Sequence, residues 1–244
     1  LPFFCQNRPN HVTPQITKAL AEAGCIETFM GVESGSKEIR DTVMHRYLSN
    51  EQAINAAKYI KESGIRLQAT AIFGSPGETP EQMWETVRLL ETIKPDSMPT
   101  YTMFPYPGTA LWTYAVENNL IKEEDIERVK AGEFGDHDRS VLKHEYGELA
   151  YNMSKLLSLY MRSPDSIKKI IKNRYMVNKR IWWVNYAYMG TVLFDYQFYG
   201  KERLNLFLKQ LYANALGKEN KINEEVEKDF LINTNPNKLL SGTR

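Results

Sequence analysis

Between residues 1 and about 110, strand-like runs repeatedly end in a glycine-bearing turn that opens a helical pattern. The clearest turns are Gly31-Val32-Glu33-Ser34-Gly35-Ser36, Gly74-Ser75-Pro76-Gly77-Glu78-Thr79 and Pro105-Tyr106-Pro107-Gly108-Thr109. This alternation is restrictive. Strands separated by helices pair in parallel, so their C-terminal ends lie along one edge of the sheet. Taken in order, Leu1–Cys5 reads as a strand and Gln6–His11 as a polar loop carrying Arg8. Thr13-Pro14 caps a helix that stops at Gly24, and Cys25–Val32 is the second strand. A helix is expected from Ser36 to His45, and another from the capping box Ser49–Gln52 to Ser63-Gly64.

Leu67, Ala69, Ala71 and Phe73 alternate through a third strand, Ile65–Phe73. Thr79-Pro80 begins a helix with Met83, Val87 and Leu90 on one stripe. Met98–Phe104 is a fourth strand, interrupted by Pro99, and Thr109 caps the next helix. Four strands in this length fit either an open sheet or part of a barrel, since a complete eight-stranded barrel takes ~250 residues. After Asn119 the pattern changes to a charged helix over Glu123–Lys130, then a polar loop over Ala131–Ser140. An aromatic-rich helical region follows, ending in an amphipathic helix over Leu204–Leu216. The tail from Gly217 is rich in lysine, glutamate and asparagine and is expected to be mobile. The expected organisation is thus residues 1–140 as α/β domain, 141–216 as helical extension and 217–244 as tail.

Composition narrows the function. With 31 basic and 30 acidic side chains and a net charge of +1, nothing argues for a nucleic-acid partner. No apolar run is long enough to span a bilayer. Two cysteines make no disulfide framework, and a reducing cytoplasm is the expected compartment. Cys5 and Cys25 match no compact metal-ligand spacing and read as small buried residues. His11, His45, His137 and His144 are scattered and form no metal set, and no P-loop, dinucleotide or nucleophile-elbow motif is present. The stretch Trp182–Phe198 reads as the core of a helical subdomain, with a porphyrin-like or substrate surface as the alternative. The chain opens at Leu1 on an apolar strand, which suggests a preceding segment.

Each glycine turn is explicable as turn chemistry alone, with Ser36, Thr79 and Thr109 as helix caps. Arg46, for its part, suits a helix C-terminus. As a set, however, the turns occupy the strand ends where βα folds bind ligands. Glu33 offers a carboxylate there, Arg46 a planar cation suited to a carboxylate partner, and the glycines bare backbone.

The order Phe29–Ser36, Arg46, Ile72–Thr79 and Phe104–Thr109, together with Asn7-Arg8-Pro9 and Ala23-Gly24-Cys25, resembles the later part of radical S-adenosylmethionine enzymes. The branch with an upstream cobalamin-binding domain is the most similar, and the resemblance covers residues 1–112. It implies a partial (β/α)6 TIM-like barrel holding only the later strands, followed by an α-helical C-terminal extension. It implies S-adenosylmethionine bound beside a 4Fe–4S cluster, whose reduction cleaves it to a 5′-deoxyadenosyl radical. An external electron donor, a small-molecule substrate and cobalamin-dependent methyl transfer or cyclisation belong to the same picture. By position, Glu33 and Ser34 would meet the ribose hydroxyls and Arg46 the methionyl carboxylate. Ile72, Phe73 and Gly74 would line the adenine, Tyr106 and Pro107 would close it, and Arg8 would contact S-adenosylmethionine or substrate. The CxxxCxxC cluster loop does not occur in this sequence. Cluster and cobalamin sites are therefore expected upstream of Leu1, and this chain alone is expected to be inactive. Two other readings stand beside this one. In one, a different partial-barrel enzyme uses Glu33 as general acid or base; in the other, a degenerate barrel serves as a non-catalytic binding module.

Overall fold

A computed structural model describes residues 1–132 and 139–197, with side chains through residue 191. The expected helix over Leu204–Leu216, the tail, and His137 lie outside the described residues. The chain divides into two compact units, Phe3–Tyr188 and Leu1–Pro2 with Met189–Arg244. The sheet and all three glycine turns belong to the first.

Four strands form one parallel sheet in sequence order: β1 (Phe3–Asn7), β2 (Cys25–Glu33), β3 (Arg66–Phe73) and β4 (Thr100–Thr102). Helices α1 (Pro14–Glu22), α2 (Lys37–Thr42), α3 (Asn50–Glu62) and α4 (Pro80–Ile93) lie in the connections. They are followed by α5 (Ala110–Glu117), α6 (Glu123–Lys130), α7 (Gly147–Arg162), α8 (Asp165–Arg174) and α9 (Val184–Gln197), the last crossing the unit boundary. This is a partial (β/α) barrel followed by a run of helices. Among the described residues no helix is long and apolar enough to cross a membrane.

The caps act as the residue types dictate. Ser49 and Gln52 form a reciprocal capping box, as do Thr79 and Gln82, and each satisfies donors a helix start leaves open. Thr13 and Thr109 accept from the backbone N–H three residues on. Ser36 occupies the cap position of α2, but its side chain makes no cap hydrogen bond.

Two elements are shorter than their patterns suggested. α2 stops at Thr42, after which Arg46 N–H turns back onto the Arg40 carbonyl at 2.7 Å and His45 takes a positive φ of 48°. β4 keeps three residues, because Pro99 has no N–H for the ladder and Pro105 comes soon after.

The core lies between the sheet and the helical layer. From the strands come Met30, Val32, Leu67, Ala69, Ala71 and Phe73, all essentially inaccessible. Ala53, Ala56, Ala57 and Ile60 of α3 face them, with Met83, Val87 and Leu90 of α4. The α3 face is mostly alanine, so more of the bulk in this core comes from α4 and the strands. Met153, Leu156 and Leu157 of α7 join this same core, and Thr100 Oγ1 donates to Ser154 O at 2.6 Å. The helical run thus begins as part of the layer covering β3 and β4. A smaller cluster of Met103, Ala115, Ile121 and Leu142 gathers α5 with Ile72, Met44 and Trp112.

Candidate functional site

The sheet has two chemically different faces. Odd residues of the alternating β3 stripe face the helices, whereas Arg66, Gln68, Thr70 and Ile72 take the other face. Arg66 Nε donates to Glu27 Oε1 at 2.8 Å, an ion pair on that face with both side chains largely withdrawn from solvent. Further along the strand, Thr70 Oγ1 donates to Glu33 Oε2 at 3.2 Å. This polar face leads to the C-terminal edge, where the strand ends Asn7, Glu33, Phe73 and Thr102 share one side of the sheet.

Glu33 is aimed by two backbone irregularities. Gly31 pairs with Thr70 but Glu33 pairs with Ala71, so Val32 is an extra residue, a bulge that re-aims the end of the strand. Glu33 itself has φ of 63°, and Ser34 N–H donates back to Val32 O at 2.9 Å, closing a γ-turn. A non-glycine residue in this region costs about 1–3 kcal/mol and persists only where its surroundings hold it.

Those surroundings are specific. Arg46 Nη1 donates to Glu33 Oε1 at 2.7 Å and to Gly31 O at 3.3 Å. A Cβ on Gly31 would lie 2.5 Å from Glu33 Oε1 and 2.9 Å from Arg46 Nη1, so this glycine leaves the room in which the pair sits. Burial pushes the Glu33 carboxyl above the usual carboxylate range, with the Arg46 charge pulling against it. Tyr101 of β4 is pushed up in turn, chiefly by burial and then by the Glu33 charge.

Arg40 locks the turn from beneath. It is almost fully buried, and its Nη1 and Nη2 donate to Ser34 O at 2.5 Å and Leu48 O at 3.1 Å. Because its carbonyl also receives Arg46 N–H, one residue fixes both ends of the Glu33–Arg46 bridge. On the other side Thr86 Oγ1 accepts from Gly35 N–H at 2.8 Å and shares a 3.3 Å hydrogen bond with Ser34 Oγ.

The second turn is built around Glu78. Its Oε2 accepts from Gly74 N–H at 2.7 Å and Ser75 N–H at 3.1 Å, while Oε1 and Ser75 Oγ are buried without partners. Burial pushes the Glu78 carboxyl up to about 7 against the pull of those two N–H groups. His144 Nε2 meets Ser75 O at 2.9 Å, and a Cβ on Gly74 would touch Ala150 Cβ at 3.0 Å, so this loop is packed against α7.

Of the residues expected at a site, Glu33 and Arg46 are brought together directly. Ser34 is adjacent but fully buried, its hydroxyl held by Thr86 and Ser36 N–H. Phe73 turns its side chain into the core and its carbonyl accepts from Met103 N–H at 2.8 Å. Ile72 lies on the opposite face, packed on the smaller apolar cluster, and Gly74 presents backbone at a φ of 79°. Tyr106 and Pro107 are exposed at the third turn, where the Tyr106 ring stands 5.0 Å from that of Phe104. Arg8 is exposed just after β1, at the same sheet edge. Thr70, Tyr101, Arg40 and Glu78 join the site without being marked by any sequence motif. The alternation of β3 contains the signal for Thr70, since it places a hydroxyl opposite Leu67, Ala69 and Ala71.

Residues 2–90 match the model of the Radical SAM superfamily, so the chain carries a domain of that superfamily there. The chain is 31% identical over 191 residues to "Uncharacterized methyltransferase PH0819" of Pyrococcus horikoshii, covering 74% of this chain and 39% of that protein. It is 30% identical over 134 residues to a tRNA-2-methylthio-N(6)-dimethylallyladenosine synthase of Anoxybacillus flavithermus, covering 52% of this chain and 25% of that one. A solved radical S-adenosylmethionine methyltransferase, TsrM from Kitasatospora setae, aligns with 23% identity and a TM-score of 0.44 over 48% of this chain and 23% of that one. The chain therefore spans about two fifths or less of the length of these relatives.

Proposed function

We propose that this chain carries the later barrel strands of a radical S-adenosylmethionine enzyme and that the Glu33–Arg46 edge contacts S-adenosylmethionine. The observation that carries this reading is the strained, bulged placement of Glu33, held against Arg46 over the space that Gly31 leaves. Strain kept at a strand end points to a role beyond folding. The superfamily match over residues 2–90 supports the same reading.

The residues suit the ligand's polar groups. A carboxylate accepts from a ribose diol, and each Glu33 oxygen retains a lone pair after its bond to Arg46 or Thr70. The Arg46 fork can pair with a methionyl carboxylate through donors Glu33 does not use. Gly74, with Ile72 and the Tyr106-Pro107 turn, gives flat, lightly substituted surface for adenine. When bound, S-adenosylmethionine supplies a sulfonium that can be cleaved reductively; this chain's own part is to orient it. A 4Fe–4S cluster does not fit the donors present, because it is held by three or four thiolates and the sequence has two cysteines. Cluster, cobalamin and electron-donor docking are assigned to preceding sequence, and a reducing cytoplasm suits them. The substrate is a small molecule, and the chemistry methyl transfer or cyclisation.

The test uses the parent protein, reconstituted anaerobically with iron, sulfide and reductant. It should release 5′-deoxyadenosine from S-adenosylmethionine, and Glu33→Ala or Arg46→Ala should lower that release at least tenfold. The 244-residue chain alone should release none. Wild-type rates in both variants would remove these residues from the site. A second reading, Glu33 as general acid or base, draws on its raised carboxyl pKa. As a different partial-barrel enzyme, it predicts a pH–rate profile that Glu33→Gln abolishes and a parent protein without a CxxxCxxC motif.

A further inference from the structure

The two cysteines lie far apart in sequence and meet in the fold. Cys5 of β1 and Cys25 of β2 place their Sγ atoms 3.6 Å apart. The meeting depends on an irregularity: Phe3 is opposite Cys25, yet Cys5 is opposite Thr28, because the β1–β2 register shifts between Phe3 and Phe4. That shift leaves the two thiols on the same side of the ladder, at ordinary sulfur contact distance.

We propose that Cys5 and Cys25 are a reversible dithiol–disulfide pair, oxidised by low-molecular-weight disulfides, that staples β1 to β2. The surroundings make two different thiols. Cys5 is half-exposed; Asn7 Nδ2 donates to its sulfur at 3.3 Å, and its own S–H reaches Thr28 Oγ1 at 3.4 Å. Cys25 is buried and directs its S–H at Glu27 O, 3.3 Å away. Burial and the neighbouring sulfur push the Cys25 thiol up to about 11, and Cys5, the more exposed of the two, is the one an oxidant reaches first.

The step balances as thiol–disulfide exchange. Cys5 gives its proton to solvent and its sulfur attacks one sulfur of an oxidised small disulfide such as glutathione disulfide; that S–S bond breaks, and one small thiolate leaves and takes a proton from solvent. Cys25 then gives its proton to solvent and attacks the Cys5 sulfur of the mixed disulfide, expelling the second small thiol. The protein loses two protons and two electrons, and the small disulfide is reduced to two thiols. The resulting ring runs from Cys5 to Cys25 and encloses Arg8 and all of α1. Closure costs the contacts from Cys25 S–H to Glu27 O and from Cys5 Sγ to Thr28 Oγ1. The bond from Asn7 Nδ2 to Thr28 Oγ1 at 2.6 Å does not involve sulfur and can hold the strand end in place. This pair is independent of the S-adenosylmethionine reading.

The test is to hold the folded chain in glutathione buffers of graded oxidised-to-reduced ratio at pH 8, trap free thiols with iodoacetamide, and measure intact and peptide masses. These are the chain's two cysteines, so the masses assign every state. The expected result is loss of both alkylations together, a peptide joining Cys5 to Cys25, and full reversal by dithiothreitol. The oxidised protein should melt about 5–10 °C higher than the reduced, as for a ring of this size, a gain absent in Cys5→Ser. A glutathione adduct at Cys5 that never resolves, a dimer linked through Cys5, or two thiols alkylated at every ratio would each overturn the proposal.

Discussion

Arg46 Nη1 and Glu33 Oε1 stand 2.7 Å apart, joining the end of β2 to the segment after α2. Both side chains are mostly shielded, at 25% and 17% exposure, so their attraction is less screened than that of an open surface pair. A double-mutant cycle with Glu33→Ala and Arg46→Ala, read by urea unfolding, should give a coupling of about 1 kcal/mol. Additive effects within a few tenths would mean that the pair is not formed in solution.

Two glycines at the same edge should respond unequally to alanine. A Cβ on Gly35 would lie 2.5 Å from the Glu85 carbonyl carbon and 2.6 Å from Thr86 Cα, both backbone atoms that cannot retreat. Gly35→Ala should therefore cost about 3 kcal/mol or more. A Cβ on Gly31 meets the far ends of Glu33 and Arg46, which can swing away. Gly31→Ala should keep most of the stability while displacing the pair, lowering S-adenosylmethionine affinity in the parent protein at least tenfold. Equal stability loss in both variants would contradict this placement.

The buried Glu78 makes stability depend on pH. Its carboxyl titrates near 4.5 when unfolded and at about 7 when folded, because burial penalises the charge. Between those values the folded state binds the extra proton, so this contribution is complete below pH 4.5 and is lost as pH rises through 7. Glu78→Gln should flatten that fall, which is on the order of 3 kcal/mol. Parallel stability–pH curves for wild type and variant between pH 5 and 8 would refute the assignment.

Local chemistry made much of this fold legible. The capping box at Ser49, the cap and proline at Thr79-Pro80 and the alternation from Leu67 to Phe73 are short-range signals, and the elements they mark form where expected. The parallel order results from helices lying between strands. What escaped was non-local. Nothing near Cys5 in sequence says that a register shift will bring Cys25 to it, and nothing near Arg46 says that it folds back onto Glu33. Ser34 has the look of a ligand hydroxyl beside Glu33, but Thr86, 52 residues away, holds it in the interior. The length of β4 depended on its prolines outweighing the apolar run around them.

The central claim is that this chain carries the S-adenosylmethionine-contacting strands of a barrel whose cluster loop precedes them. The most direct measurement is the coding sequence upstream of the Leu1 codon. The account predicts an in-frame CxxxCxxC roughly 60–100 residues earlier, the length of two or so βα units, with a further βα domain before it if cobalamin is used. A start codon close to Leu1 with no such cysteines would contradict it, and the sheet edge around Glu33 would then belong to a barrel that binds without radical chemistry.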